Sequence, residues 1–271
     1  LNMKNGITDA LTTFDATNND SLECIETLDP TYATENWTYA NGNIDEGVTF
    51  SIICGSSDLS NWHVDTTGSD RQGTGTAENP FATIQVGINA SSDGESVLVG
   101  AGTYLENVNY NGKNISILGA NRETTIIDGD SSGSVVRFEA GEDSTASLSG
   151  FTLRNGTGTM INETQSKGGG ITCTGSSPTL TDLKIMNNTA TTWGGGIHCE
   201  FTSNPVITDV FIMENSTNDT AWGQGGGLYC WYSAPKLTNV LIANNSSIKG
   251  GGVYLGQEGS WAKLTNVTVT D

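Results

Sequence analysis

A block that begins with three glycines recurs four times in the second half of the chain, and it leaves few folds open. It reads GGGITC at Gly168–Cys173, GGGIHC at Gly194–Cys199, GGGLYC at Gly225–Cys230 and GGGVYL at Gly250–Leu255. Each block is followed by a PxLT-like piece: Pro178–Thr181, Pro205–Thr208, Pro235–Thr238 and Ala262–Thr265. An alternating apolar run comes next, from Leu183, Val210, Val240 and Val267. The GGG starts lie 26, 31 and 25 residues apart. Self-similarity at such a period means one supersecondary unit stacked on copies of itself.

The kind of unit follows from the period of two within each strand. Ile171 and Cys173 share a face, as do Ile197 and Cys199, Leu228 and Cys230, and Val253 and Leu255. All are apolar or Cys, so this face points inward. The third-strand pairs Leu183/Ile185, Val210/Ile212, Val240/Ile242 and Val267/Val269 repeat the pattern. Three short β-branched strands per turn, punctuated by Gly, Pro and Asn, specify an all-β parallel β-helix rather than a helical solenoid. An Asn at each third-strand end (Asn187, Asn215, Asn244) is placed to stack its amide on the next rung.

Charge narrows the partners. With 11 Lys and Arg against 30 Asp and Glu, the formal charge is −19. Nucleic acid and anionic membrane surfaces call for a basic footprint, and both are excluded. The acidity reads either as a solvated surface or as carboxylates gathered for Ca²⁺, the one cofactor left open. No apolar run approaches the roughly 20 residues of a membrane span. Both termini read as cut from a longer exported protein.

Residues 1–54 form a first unit. LTTFDATNNDSL from Leu11 has the spacing of a single leucine-rich repeat, which does not bury its own face. With Leu22, Cys24, Ile25, Trp37, Ile44 and Cys54, the unit resembles the terminal capping segment of leucine-rich repeats in secreted bacterial surface proteins. Cys24 and Cys54 read as a disulfide, the alternative being two buried thiols. Residues 55–61 read as a linker. The second unit, 62–271, opens with a capping helix expected over about 79–90. Asn79 is its N-cap and Pro80 its first residue, and Phe81, Ile84 and Ile88 lie on one face. NPFATIQVGINA, VLVGAGTYLENV, NISILG and TTIIDG, with the GGG repeats, resemble the pectin-lyase-like right-handed parallel β-helix superfamily, including bacterial surface and outer-membrane members. The resemblance implies this fold and an extracellular or cell-surface location. It does not name a chemistry, since lyases, hydrolases and adhesins share the fold.

Outward positions carry whatever chemistry there is. On the GGG strands His198, Glu200, Tyr229, Trp231 and Tyr254 form one stripe, with rungs about 4.8 Å apart. Trp193 and Trp222 precede their blocks and are placed to wall it. The stripe admits two readings, a surface that contacts polysaccharide or an aromatic ladder that braces neighbouring strands. The first makes the chain a non-catalytic structural or adhesive module that presents this face to polysaccharide or a protein partner, with end-to-end assembly left open. The alternative is a polysaccharide lyase or glycoside hydrolase, with His198 and Glu200 as acid/base pair. The clustered Asp of the superfamily's lyases and hydrolases does not appear on the stripe, and no Arg or Lys is expected beside it. Asp182 and Asp209, followed by Asn239 and Asn266, read as a structural corner ladder. Cys173, Cys199 and Cys230 read as inward packing, not as a metal site. On the third strand Met186, Phe211, Met213 and Leu241 read as an exposed apolar face for docking or homotypic stacking, unless a loop covers it.

Overall fold

Strand register shows how the repeats stack. The computed structural model of the chain describes residues 1–4, 8–11, 13–55, 60–257 and 259–270. The GGG strands Ile171–Thr174, Ile197–Glu200, Leu228–Trp231 and Val253–Gly256 pair in parallel, with Cys173 opposite Cys199 and Cys199 opposite Cys230. Val108–Asn109 and Val136–Phe138 extend this sheet to six strands among the described residues. An eleven-stranded sheet holds most other strands of the coil, from Asn61–Val64 to Lys263–Thr270, while Thr159–Met160 pairs with Ser166–Lys167 and Thr189–Ala190 with Ser216–Thr217. Parallel neighbours in one sheet need crossovers, and those wind right-handed. The fold is the right-handed parallel β-helix.

Each repeat passes three strand segments, of which the last two are halves of one bent strand, as in Thr179–Met186 and Lys236–Ala243. The bend falls on a residue of positive φ: Asp182 (52°), Asp209 (56°), Asn239 (55°) and Asn266 (50°). Asn and Asp enter this region most readily after glycine. Their side chains bond from rung to rung, Asn239 Nδ2 donating to Asp209 Oδ1 at 3.0 Å and Asn266 Nδ2 to Asn239 Oδ1 at 2.8 Å.

The glycine triplets have two separate causes. The first Gly of each block takes φ between 61° and 67°, which an L side chain resists. The next two sit where rungs nearly touch. A Cβ on Gly195 would lie 2.3 Å from the Ser216 carbonyl oxygen and 2.6 Å from that of Gly226. On Gly196 it would lie 2.5 Å from the Gly227 oxygen.

Inside, the expected inward pairs of the first three repeats are buried in one continuous core. In the last repeat Leu255 and Val269 are exposed, and Val253 and Val267 are half-buried. The buried amide ladder is one residue away from the expected column in two of three turns. Asn188, Asn215 and Asn245 line up, with Asn188 Nδ2 donating to Asn215 Oδ1 and Asn215 Nδ2 to Asn245 Oδ1, both at 3.0 Å. The same amides donate inward to the carbonyls of Leu153, Ile185 and Ile212. Asn187 and Asn244 instead take φ of 55° at the corner, as does Glu214 at 56°. In an Asn-Asn pair the first residue makes the turn and the second enters the core.

The capping helix is shorter than expected. It spans Ile84–Ala90, and Thr83 is its N-cap. Asn79 and Pro80 belong to the preceding turn, because Phe81 is drawn into the sheet edge, donating its N–H to the His63 carbonyl at 3.0 Å. Phe81, Ile84 and Ile88 are still buried together beneath the first rung. Residues 1–54 hold a second core of Phe14, Ala16, Ile25, Ala33, Trp37, Ile44 and Val48. Leu11, first of the leucine-rich-repeat spacing, is exposed instead of inward, and Thr12 lies outside the described residues. Strand Cys24–Glu26 pairs in parallel with Thr49–Ser51, and Cys24 is disulfide-bonded to Cys54. Of the expected linker, residues 56–59 lie outside the described residues, and Asn61 already belongs to the first coil strand.

Candidate functional site

The positive φ of each first glycine folds the residue before it over the outward face of the GGG sheet. Lys167, Trp193, Gln224 and Lys249 occupy this place and bridge to one another from rung to rung. Beneath them runs a column of parallel rings. His198 stacks on Tyr229 at 5.1 Å between centroids and 6° between planes, and Tyr229 on Tyr254 at 5.6 Å and 5°. Trp231 lies beside Tyr229 at 6.4 Å, and Trp193 tilts over it at 6.2 Å. In-register pairing of His198, Tyr229 and Tyr254 on successive strands sets this stack.

The face is therefore outward but not open. His198 is 1% exposed and Tyr229 3%. They form the floor of a cleft of about 480 Å³, with Glu200 and Trp231 beside them. Trp193 and Trp222 wall it, with Gln165 and Gln224 as polar members of the same lining. Trp222 stands free at 62% exposure. Of the expected stripe, the cleft brings together Trp193, His198, Glu200, Trp222, Tyr229 and Trp231. Tyr254 continues the ring stack on the next rung, outside the lining.

A cation does stand at the stripe, contrary to expectation. Lys167 is buried, and its Nζ contacts Glu200 Oε1 and donates to Thr174 Oγ1 at 3.2 Å. The sequence carried a signal for it, since Lys167 precedes its GGG block as Trp193 precedes the next. His198 Nε2 is 3.9 Å from Glu200 Oε2, too far for a hydrogen bond. Burial, and then the Lys167 charge, hold the His198 pKa well below the ordinary histidine value. The ring is neutral, so this approach is not an ion pair. Its Nδ1 is buried without a hydrogen-bond partner among the described residues. Burial raises the Tyr229 phenol above its ordinary value, helped by Tyr254 and Glu200.

Elsewhere the expected surfaces change character. Met186, Phe211, Met213 and Leu241 are half-buried rather than exposed. The Arg122 guanidinium covers the Phe211 ring at 4.5 Å, while bonding to Asp182 Oδ1 at 3.0 Å and the Asp209 carbonyl at 3.1 Å. A loop does cover the patch, at least over Phe211. The three ladder cysteines are fully buried free thiols. Among the described residues no group of three or more His, Cys, Asp or Glu is arranged to hold a metal.

Comparison with known proteins bears on the fold. The Chlamydia polymorphic membrane protein repeat matches residues 182–200, which run from the bent strand through the ladder Asn188 and Trp193 to Glu200. A comparison with curated protein sequences finds no match. Among solved structures, pectin methylesterase PemA from Erwinia chrysanthemi is similar at 13% identity, over 80% of this chain and 67% of that one, with a TM-score of 0.48. A pectin methylesterase in complex with a hexasaccharide is similar at 14% identity, over 80% and 67%, with a TM-score of 0.47. The pectin methylesterase from Aspergillus niger follows at 12%, over 78% and 87%, with a TM-score of 0.38. These likenesses concern the course of the chain. The β-helix itself rests on the strand register described above.

Proposed function

We propose that the cleft binds a glycan, and that the chain is a non-catalytic, adhesive β-helix module of the cell surface or extracellular space. The observation that carries this reading is the convergence of three indoles, Trp193, Trp222 and Trp231, on one cleft whose lining also holds two amides and a carboxylate. Sugar rings present C–H faces to aromatic planes and hydroxyls to polar edges, and this cleft offers both. Its volume lies within the roughly 300–1,000 Å³ range of ligand sites. The Cys24–Cys54 disulfide suits an oxidising compartment. No helix among the described residues is long and apolar enough to cross a membrane.

The test is a glycan-array screen of the wild-type chain beside Trp222→Ala. Trp222 is the exposed wall, so its loss removes contact area and leaves the floor packed. Binding in the wild type that weakens about tenfold in the variant, with thermal stability unchanged, supports the reading. Absence of binding to any glycan, or equal binding by the variant, sinks it.

One observation favours a second reading, a polysaccharide lyase or glycoside hydrolase. His198 lies in the cleft within 3.9 Å of Glu200, with its Nδ1 free of a hydrogen-bond partner among the described residues, the one imidazole–carboxylate pair in the lining. Against it, Glu200 is the one carboxylate in the described lining, whereas glycoside hydrolysis ordinarily uses two. An assay for new reducing ends or unsaturated products separates the two classes.

A further inference from the structure

The charges in the cleft cancel, and its aromatic surface does not stop at its rim. Lys167 and Glu200 neutralise one another by direct contact. His198 is neutral, and the remaining lining consists of Trp, Tyr and Gln. The whole chain carries a charge of −19. An acidic sugar would meet a repelling field and no unpaired cation within the lining. An amino sugar would meet a carboxylate already engaged by Lys167. Uncharged hydroxyls over aromatic faces are what remains.

Beyond the rim, Trp231 makes an edge-to-face contact with Tyr232 at 5.6 Å. Tyr232 is 49% exposed, and Phe201, on the rung before, is 58% exposed. The backbone joins the two corners, the Thr202 N–H donating to the Tyr232 carbonyl at 2.8 Å. Both aromatics take positive φ, 48° and 55°, a conformation that bulky side chains adopt at a cost. Aromatic surface thus continues from Trp231, in the lining of the cleft, to Tyr232 beyond it.

Building on the glycan reading, we infer that the ligand is an uncharged glycan chain that lies across Trp231 and reaches Tyr232. The experiment is calorimetric titration of the intact chain with gluco-, manno- and xylo-oligosaccharides of two and of six rings, beside oligouronates of the same lengths. Wild type and Tyr232→Ala are compared at low salt. The expected result is a neutral six-ring ligand bound about tenfold tighter than its two-ring form. Tyr232→Ala removes that gain and leaves the two-ring affinity unchanged, and oligouronates bind at least tenfold more weakly than neutral chains. Oligouronates bound as well or better, no gain with length, or a gain that survives Tyr232→Ala each overturn the inference while the glycan reading stands. No binding by any sugar overturns both.

Discussion

Asn215 shows how much a single residue can carry in a stacked fold. It is fully buried, and its Oδ1 accepts from the Asn188 N–H at 3.1 Å and from Asn188 Nδ2 at 3.0 Å. Its Nδ2 donates to the Ile185 carbonyl at 2.9 Å and to Asn245 Oδ1 at 3.0 Å. Asn215→Ala would strand groups on three neighbours, in a core that water does not reach. The expected cost is roughly 3 kcal/mol or more, read as a shift in the midpoint of chemical denaturation. Asn244→Ala, at the corner, is the comparison that separates the ladder from the turn. The same burial means that the Asn215-Ser-Thr sequon is closed to modification once the coil has formed. Sequence alone showed that Asn gathers at this corner. It did not show which Asn of a pair turns inward, because that depends on the φ of the first.

At the scale of elements, the capping helix holds an ionisable group in an unusual state. Glu106 accepts from the N–H groups of Ile84 at 2.8 Å and Gln85 at 2.9 Å, at the helix start. Burial nevertheless dominates those bonds, and with Asp70 nearby it raises the carboxyl pKa from 4.5 to about 7. A raised acid pKa means that the folded state holds its proton more tightly than the unfolded chain. Stability from this group is therefore fully present below about pH 4.5 and is lost as pH rises through about 7. Glu106→Gln should flatten that slope, by on the order of 2 kcal/mol across the window, in denaturation curves at stepped pH. His198 acts in the opposite sense, since its depressed pKa withdraws stability as pH falls below the ordinary histidine value. An unchanged slope in Glu106→Gln would show that the carboxylate is ionised and solvated in the fold. The helix itself was legible from Phe81, Ile84 and Ile88, but its start was not. Pro80 fits a first helical turn, and only the pairing of Phe81 with the edge of the sheet excludes it. The cleft was half legible for a related reason. Alternation marks His198, Glu200, Tyr229 and Trp231 as outward, and the place before each block marks Trp193 as a wall, but neither reveals that Lys167 closes in beside Glu200.

For the whole molecule, two cores imply two unfolding units. The coil's stability is close to a sum over neighbouring rungs, whereas residues 1–54 depend on a small core, one crosslink and the seating of Ile52 in the coil's core. Closing a separation of 30 residues, the disulfide contributes about 3 to 4 kcal/mol on the chain-entropy estimate. Cys24→Ala/Cys54→Ala should make residues 1–54 the first site of limited proteolysis while 61–270 stays resistant. Simultaneous loss of both regions would mean that the cap and the coil fold as one. The unequal repeat spacing also has a physical location. From the ladder position to the next GGG start the chain takes twelve steps (Gly156 to Gly168), six (Asn188 to Gly194), ten (Asn215 to Gly225) and five (Asn245 to Gly250). Gln165, Lys167, Trp193, Trp222 and Gln224 all stand on these uneven segments, while His198, Glu200, Tyr229 and Trp231 stand on strands that keep strict register. The floor of the cleft thus stands on the strands that keep the fold, and its walls on segments whose length the fold leaves free. A lineage built on this plan can acquire new binding preferences by lengthening, shortening or exchanging wall loops, with the scaffold beneath left as it was.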